Sequence, residues 1–194
     1  MTAPSLALEE RIVLCRLARQ TLAVRLGKSA PGAEPVISPA LERTRGAFVT
    51  LTIGGHLRGC IGTFRPAEPL HQLIARMVVA AAIHDPRFSP VTAAELEVIE
   101  IEISALTPLQ PITDVSVIEI GVHGLYITSG FQSGVLLPQV AIEHGWSREE
   151  FLNQTCHKAG LPSNAWKHGA TLEIFSAEVF SESHPEGGKV SCGE

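Results

Sequence analysis

An α+β fold is predicted for this chain from three observations. Apolar residues recur at helical spacing around Leu14 to Leu22 and from Pro69 to Ile83. Runs of strand character occur at Phe48 to Ile53, Val98 to Leu106 and Thr171 to Phe180. These mixed strands and helices do not follow the regular βαβ alternation that builds a parallel sheet.

Taken in order, Ser5 is placed to cap a first helix that runs to about Leu26. Leu14, Leu17, Ala18, Thr21 and Leu22 form its stripe. Gly27 to Pro39 collects Gly, Pro and Ser and reads as a loop. Gly54-Gly55 suits a tight hairpin turn between the strands Phe48 to Ile53 and His56 to Ile61. Pro69 is tolerated in the first turn of the helix ending at Ile83. Pro86 excludes its predecessor from the helical region, so His84-Asp85-Pro86-Arg87-Phe88 is a loop.

Thr92-Ala93-Ala94-Glu95 is a capping-box pattern for one short helical turn. Beyond it, Ile99, Ile101, Ile103 and Ala105 take one strand face, and Glu100, Glu102 and Ser104 the other. Val122 to Thr128 is a strand, followed by a Gly/Ser-rich loop from Ser129 to Gly134. Pro138 starts a short helix through Glu143. Ser147 with Glu150 boxes the start of another, which Gly160 ends. Thr171 to Phe180 is read as the last strand. Residues 6–182 are expected to form a single domain, and residues 183–194 a disordered tail.

Composition narrows the function. The 194 residues carry a net charge of −5, which argues against general nucleic-acid binding, because neutralising phosphates needs a basic face. Cys15, Cys60, Cys156 and Cys192 form no CxxC pair, so reduced thiols are expected rather than a disulfide or zinc framework. The longest apolar run, Met77 to Ile83, falls far short of the ~20 residues of a membrane span. With no signal-like start, a cytoplasmic location and no membrane association are expected. No metalloprotease, Walker, dinucleotide or serine-hydrolase motif occurs, so the sequence identifies no cofactor and no metal site.

The stretch Leu57-Arg58-Gly59-Cys60-Ile61-Gly62 is the most specific feature. Cys60 has two readings: a nucleophile whose thiolate Arg58 favours, or a small buried residue at a tight packing point. Gly59 and Gly62 permit close backbone approach. Arg87 has the planar fork that suits a carboxylate or phosphate, or else it pairs with Asp85 to pin its loop. Glu100 and Glu102, sharing a face with Ser104, are either an acid/base or metal-holding pair or a solvent-facing strand surface. His123, between glycines, is a base or a turn residue. Gln139 points into a cleft from a helix start or lies on the surface. Cys156 and Lys158 are explained by core packing and by the helix dipole.

These stretches in this order closely resemble the AMMECR domain, also called AmmeMemoRadiSam system protein A. The resemblance rests on Leu57 to Thr63, Asp85 to Phe88, Ile101 to Ser104, Gly121 to Leu125, Leu136 to Ala141 and Cys156 to Leu161. It runs from about Leu8 to Glu182. It implies a larger and a smaller lobe with a cleft between them, and a pathway shared with a Memo-like protein and a radical S-adenosylmethionine enzyme. It supplies no reaction. Carried over residue by residue, it makes Cys60 the catalytic candidate, with Arg58, Gly59 and Gly62 beside it. Arg87, Ser104, His123, Gln139, Cys156 and Lys158 follow as binding candidates, for a small anionic ligand. The chain is then either an enzyme using Cys60 or a non-catalytic adaptor or substrate-binding module for those partners.

Overall fold

A computed structural model describes residues 5–29 and 36–187. It contains α1 (Leu8–Arg25), β1 (Ala47–Ile53), β2 (His56–Thr63), α2 (Leu70–Ile83), β3 (Ile99–Leu106), β4 (Gln110–Ile112), β5 (Gly124–Ser129), β6 (Gln132–Leu136), α3 (Pro138–Glu143), α4 (Arg148–Lys158), β7 (Thr171–Phe175) and β8 (Ala177–Ser181). The α+β expectation holds. The chain divides into two compact units, one of residues 5–106 and 178–187, the other of residues 107–177.

In the first unit the sheet order is β2-β1-β3-β8. Val49 and Leu51 of β1 and Ile101 and Ile103 of β3 form one core with Leu14, Ala18 and Leu22 of α1 and Leu73, Ile74, Met77 and Val78 of α2. That sheet face therefore carries both helices. Burying each large aliphatic side chain contributes about 1.5–3 kcal/mol, which holds the helices without strong caps. Ala7, rather than Ser5, occupies the cap position of α1. The Ala7 N–H donates to the Glu10 carboxylate at 2.9 Å, while the Ser5 hydroxyl donates to Glu178 at 2.7 Å.

The β1–β2 hairpin turns at Gly54 and Gly55, with φ of 57° and 81°, a pair of left-handed conformations that glycine adopts without strain. Its register then shifts between Leu51 and Thr52: Leu51 pairs with Gly59, but Thr52 with Leu57. Arg58 is the extra residue of this bulge.

The second unit has sheet order β4-β7-β5-β6 and its own core, with Leu125, Ile127, Phe151, Leu152 and Cys156. α4 begins as expected at Ser147, whose side chain and Glu150 cap each other's backbone N–H groups. The single strand expected from Thr171 to Phe180 is two. It breaks at Ser176, β7 joining the second sheet and β8 the first. The expected loop after Ser129 is only the tip of the β5–β6 hairpin. The short β4 had no clear sequence signal. Residues 183–187, expected to be disordered, form a turn whose Glu186 carbonyl accepts from Arg11 Nη1 at 2.8 Å. Residues 188–194, including Cys192, and the middle of the loop from Gly27 to Pro39 lie outside the described residues.

Candidate functional site

The bulge sets the site. Without it, two-residue hairpin pairing would set Cys60 opposite Val49, on the helix-covered face. With it, Cys60 pairs with Thr50, and Thr50 with Glu102 on the next strand. Cys60, Thr50 and Glu102 thus form one row across three strands, on the face opposite the helices. Gly62, Phe48 and Ser104 form the neighbouring row.

The Thr50 hydroxyl donates to Cys60 Sγ at 3.3 Å. Glu102 is 7% exposed, and its Oε2 is buried without a hydrogen-bond partner among the described residues. The strand face expected to meet solvent is therefore closed at Glu102 and Ser104, and only Glu100 is exposed.

The loop after α2 grips the backbone of Cys60. Asp85, buried, accepts the Cys60 N–H at 2.8 Å on Oδ2. Arg87 closes a bidentate pair with the same carboxylate, Nε to Oδ1 at 2.9 Å and Nη2 to Oδ2 at 2.7 Å. Arg87 Nη2 also donates to the Cys60 carbonyl at 3.4 Å. These bonds use Nε and Nη2, and the side chain remains 53% exposed. Pro86 separates the two partners and keeps the loop out of helix, so the carboxylate and the guanidinium meet.

The electrostatics follow from burial. Hydrogen bonds from Arg87 hold the Asp85 carboxyl far below the usual range. Burial pushes the Glu102 carboxyl up to about 7. Burial also raises the Cys60 thiol. The Thr50 hydrogen bond and the Arg87 charge oppose that rise, and the Asp85 and Glu102 charges add to it. Cys60 therefore rests as a thiol, not as the thiolate expected from an arginine neighbour.

Arg58 is not that neighbour. Its guanidinium donates to Glu95 Oε1 at 2.7 Å, to the Ser89 carbonyl at 2.8 Å and to the Pro90 carbonyl at 3.3 Å. These bonds anchor the bulge, and they pull the Glu95 carboxyl down to about 2. Gly59 lies under α2: a Cβ there would stand 2.2 Å from the Ala81 carbonyl oxygen. At Gly62 a Cβ would meet the Phe48 ring at 2.4 Å.

The remaining sequence candidates fall in the second unit. His123 Nδ1 accepts the Glu119 N–H at 3.1 Å across a turn. Gln139 is half-buried in the first turn of α3. Cys156 is fully buried in the core, and Lys158 is exposed in the last turn of α4. The sequence reading passed over Thr50 and favoured a solvated surface over a site for Glu102. Only the bulged register points to both.

A cavity of about 640 Å³, lined by Cys15, Arg16, Arg19, Leu96 and Glu182 among others, includes no residue of the Cys60 row. Its Arg19 is engaged by Glu182 and by the Leu96 and Ile99 carbonyls, and burial pushes the Cys15 thiol up to about 12. The cavity offers room, whereas the Cys60 row offers an unmet buried carboxyl oxygen on the same sheet face as a thiol. Chemistry favours the row. Among the described residues no group of three or more His, Cys, Asp or Glu is arranged to hold a metal ion, and no helix is long and apolar enough to cross a membrane.

Comparison with known proteins gives a consistent picture. A family model described as AMMECR1 matches residues 15–180. A protein of Methanosarcina acetivorans is 41% identical over 186 residues, covering 90% of this chain and 92% of its own. One of Methanopyrus kandleri is 42% identical over 192 residues, covering 94% and 93%. The crystal structure of an uncharacterized protein from Pyrococcus horikoshii superposes with a TM-score of 0.73 at 38% identity, covering 90% of this chain and 92% of that one.

Proposed function

The chain belongs to the AMMECR1 family, and we propose that it is an enzyme component whose working group is Cys60, forming a bond to a small electrophilic substrate. The observation that carries this reading is the buried, unpartnered Oε2 of Glu102 in the same cross-strand row as the thiol. Buried polar groups are nearly always satisfied, and the exceptions concentrate where a ligand or a proton is to be received. Arg87, half-exposed beside Cys60, is the group that would hold an anionic part of the substrate. In this reading the chain supplies the Cys60 centre to a pathway shared with a Memo-like protein and a radical S-adenosylmethionine enzyme, the partners the family resemblance implies.

The test is native-state alkylation by iodoacetamide, read residue by residue by mass spectrometry. Cys60 is expected to label well before the buried Cys15 and Cys156. A Cys60 inert in the folded chain, yet labelled on unfolding, would sink the enzyme reading. A non-catalytic adaptor is the second reading, and one observation favours it: burial raises the Cys60 thiol instead of activating it.

A further inference from the structure

We propose that the cavity beside α1 is a binding site for a small amphipathic anion, an apolar body carrying one carboxylate. The proposal is independent of the Cys60 reading, since the cavity includes no residue of that row. At about 640 Å³ the cavity has the size of a small-molecule pocket, for which about 300–1,000 Å³ is usual.

One face of α1 forms a wall. Ile12, Cys15, Arg19 and Ala23 follow one another at helical spacing, so their side chains share one side of the helix. Facing them are Leu96 and Glu97, from the short turn before β3, and Glu182, just past β8. Arg19 ties these walls together. It donates to the Leu96 carbonyl at 2.7 Å, to the Ile99 carbonyl at 2.6 Å and to both oxygens of Glu182. The walls are thus fixed by bonds that need no ligand, and a preformed site loses little affinity to ordering.

The lining sorts into an apolar interior and a charged rim. Cys15, Ala23 and Leu96 are buried, while Ile12, at 36% exposure, is a large aliphatic side chain left partly in water. Burial pushes the Cys15 thiol up to about 12, so it stays neutral and behaves as a small apolar group.

The charges do not cancel. Arg19 and Glu182 neutralise each other. Arg16 and Lys28 are exposed, and their side chains enter no hydrogen bond or ion pair among the described residues. Glu97, also exposed, is the one carboxylate of the lining left unpaired among them. Two free cations against one free carboxylate leave the rim positive, on a chain whose net charge is −5. A surplus of one charge matches a monoanion. The apolar interior takes the body of such a ligand, and Arg16 has the planar fork that grips its carboxylate.

The experiment titrates the full chain with octanoate by isothermal calorimetry, with 1-octanol as the uncharged control. Octanoate is expected to bind, and more tightly than 1-octanol. The double variant Arg16→Glu/Lys28→Glu should weaken octanoate by roughly tenfold, since two surface attractions become two repulsions, and leave 1-octanol unchanged. Ile12→Glu should weaken both ligands, because it sets a carboxylate against the apolar body. Glu97→Gln should tighten octanoate by removing a like charge. All four positions are exposed, so the fold should tolerate the changes, and circular dichroism checks it.

Absence of octanoate binding at millimolar concentration overturns the site. Equal affinity for octanoate and 1-octanol overturns the preference for an anion, as does a Glu97→Gln chain that binds octanoate more weakly. Octanoate binding that both the double variant and Ile12→Glu leave unchanged lies elsewhere on the chain, and overturns the assignment to this cavity.

Discussion

Glu102 carries a cost with a definite sign. Its carboxyl holds a proton to about pH 7 in the folded chain, against a usual 4.5. Between those values the native state binds a proton that the unfolded chain has given up, so stability falls as pH rises through that window. At about 1.36 kcal/mol per pH unit, the full loss is about 3 kcal/mol and persists above pH 7. Glu102→Gln removes it. Urea unfolding of wild type and Glu102→Gln at pH 4 and pH 8 should show the variant's relative stability improving by about this amount at the higher pH. An equal difference at both values would mean that Glu102 ionises normally. Asp85 runs the other way: its depressed carboxyl stabilises above the unfolded value and loses that contribution in acid. Because both chains keep Asp85, its contribution cancels in the comparison. A stabilised variant is the result expected where a site retains a group that the fold alone would not.

At the scale of elements, the β1–β2 hairpin and α2 act together. The Gly54-Gly55 turn and the alternation of β3 were legible, because each is a local pattern of period two or a dipeptide with one favoured turn. The bulge was not legible. An extra residue leaves no mark in composition, yet a one-residue slip moves every side chain beyond it to the other face. The glycine before Cys60 has its reason in a different element, α2, whose Ala81 carbonyl occupies the space of a Cβ. Gly59→Ala should therefore destabilise the chain by about 1–3 kcal/mol through overpacking. Thermal unfolding measures this, and a melting temperature equal to wild type would show that α2 moves away freely.

For the whole molecule, the order of strands matters more than their number. β3 and β8 are neighbours in one sheet, although residues 107–176 fall between them. The chain leaves and returns at one place, where the Thr107 N–H donates to the Ser176 carbonyl and the Ser176 N–H to Thr107 Oγ1, both at 2.8 Å. The second unit is thus an insertion into the first. A sequence read from end to end sees one strand from Thr171 to Phe180, since apolar content continues through Ser176 and nothing local says that the sheet changes. The adaptor reading belongs to this scale. If the chain is a non-catalytic module, it should co-purify at micromolar concentration with the Memo-like protein or the radical enzyme. Loss of both partners on size exclusion would count against that reading.

The sequence by itself determined the class of fold, most helices and strands, the hairpin turn, the capping box of α4 and the family. All of these rest on patterns within a few residues, or on motifs whose order survives in the chain. The tertiary structure decided which side chains meet. It turned Arg58 from an activating charge into the anchor of a bulge and made Arg87 the cation beside Cys60. It also buried Glu102, whose alternation with isoleucines allowed a solvent-facing reading. The physical reason is that burial and cross-strand register are properties of neighbours far away in sequence, and a thiol or a carboxyl takes its protonation state from those neighbours.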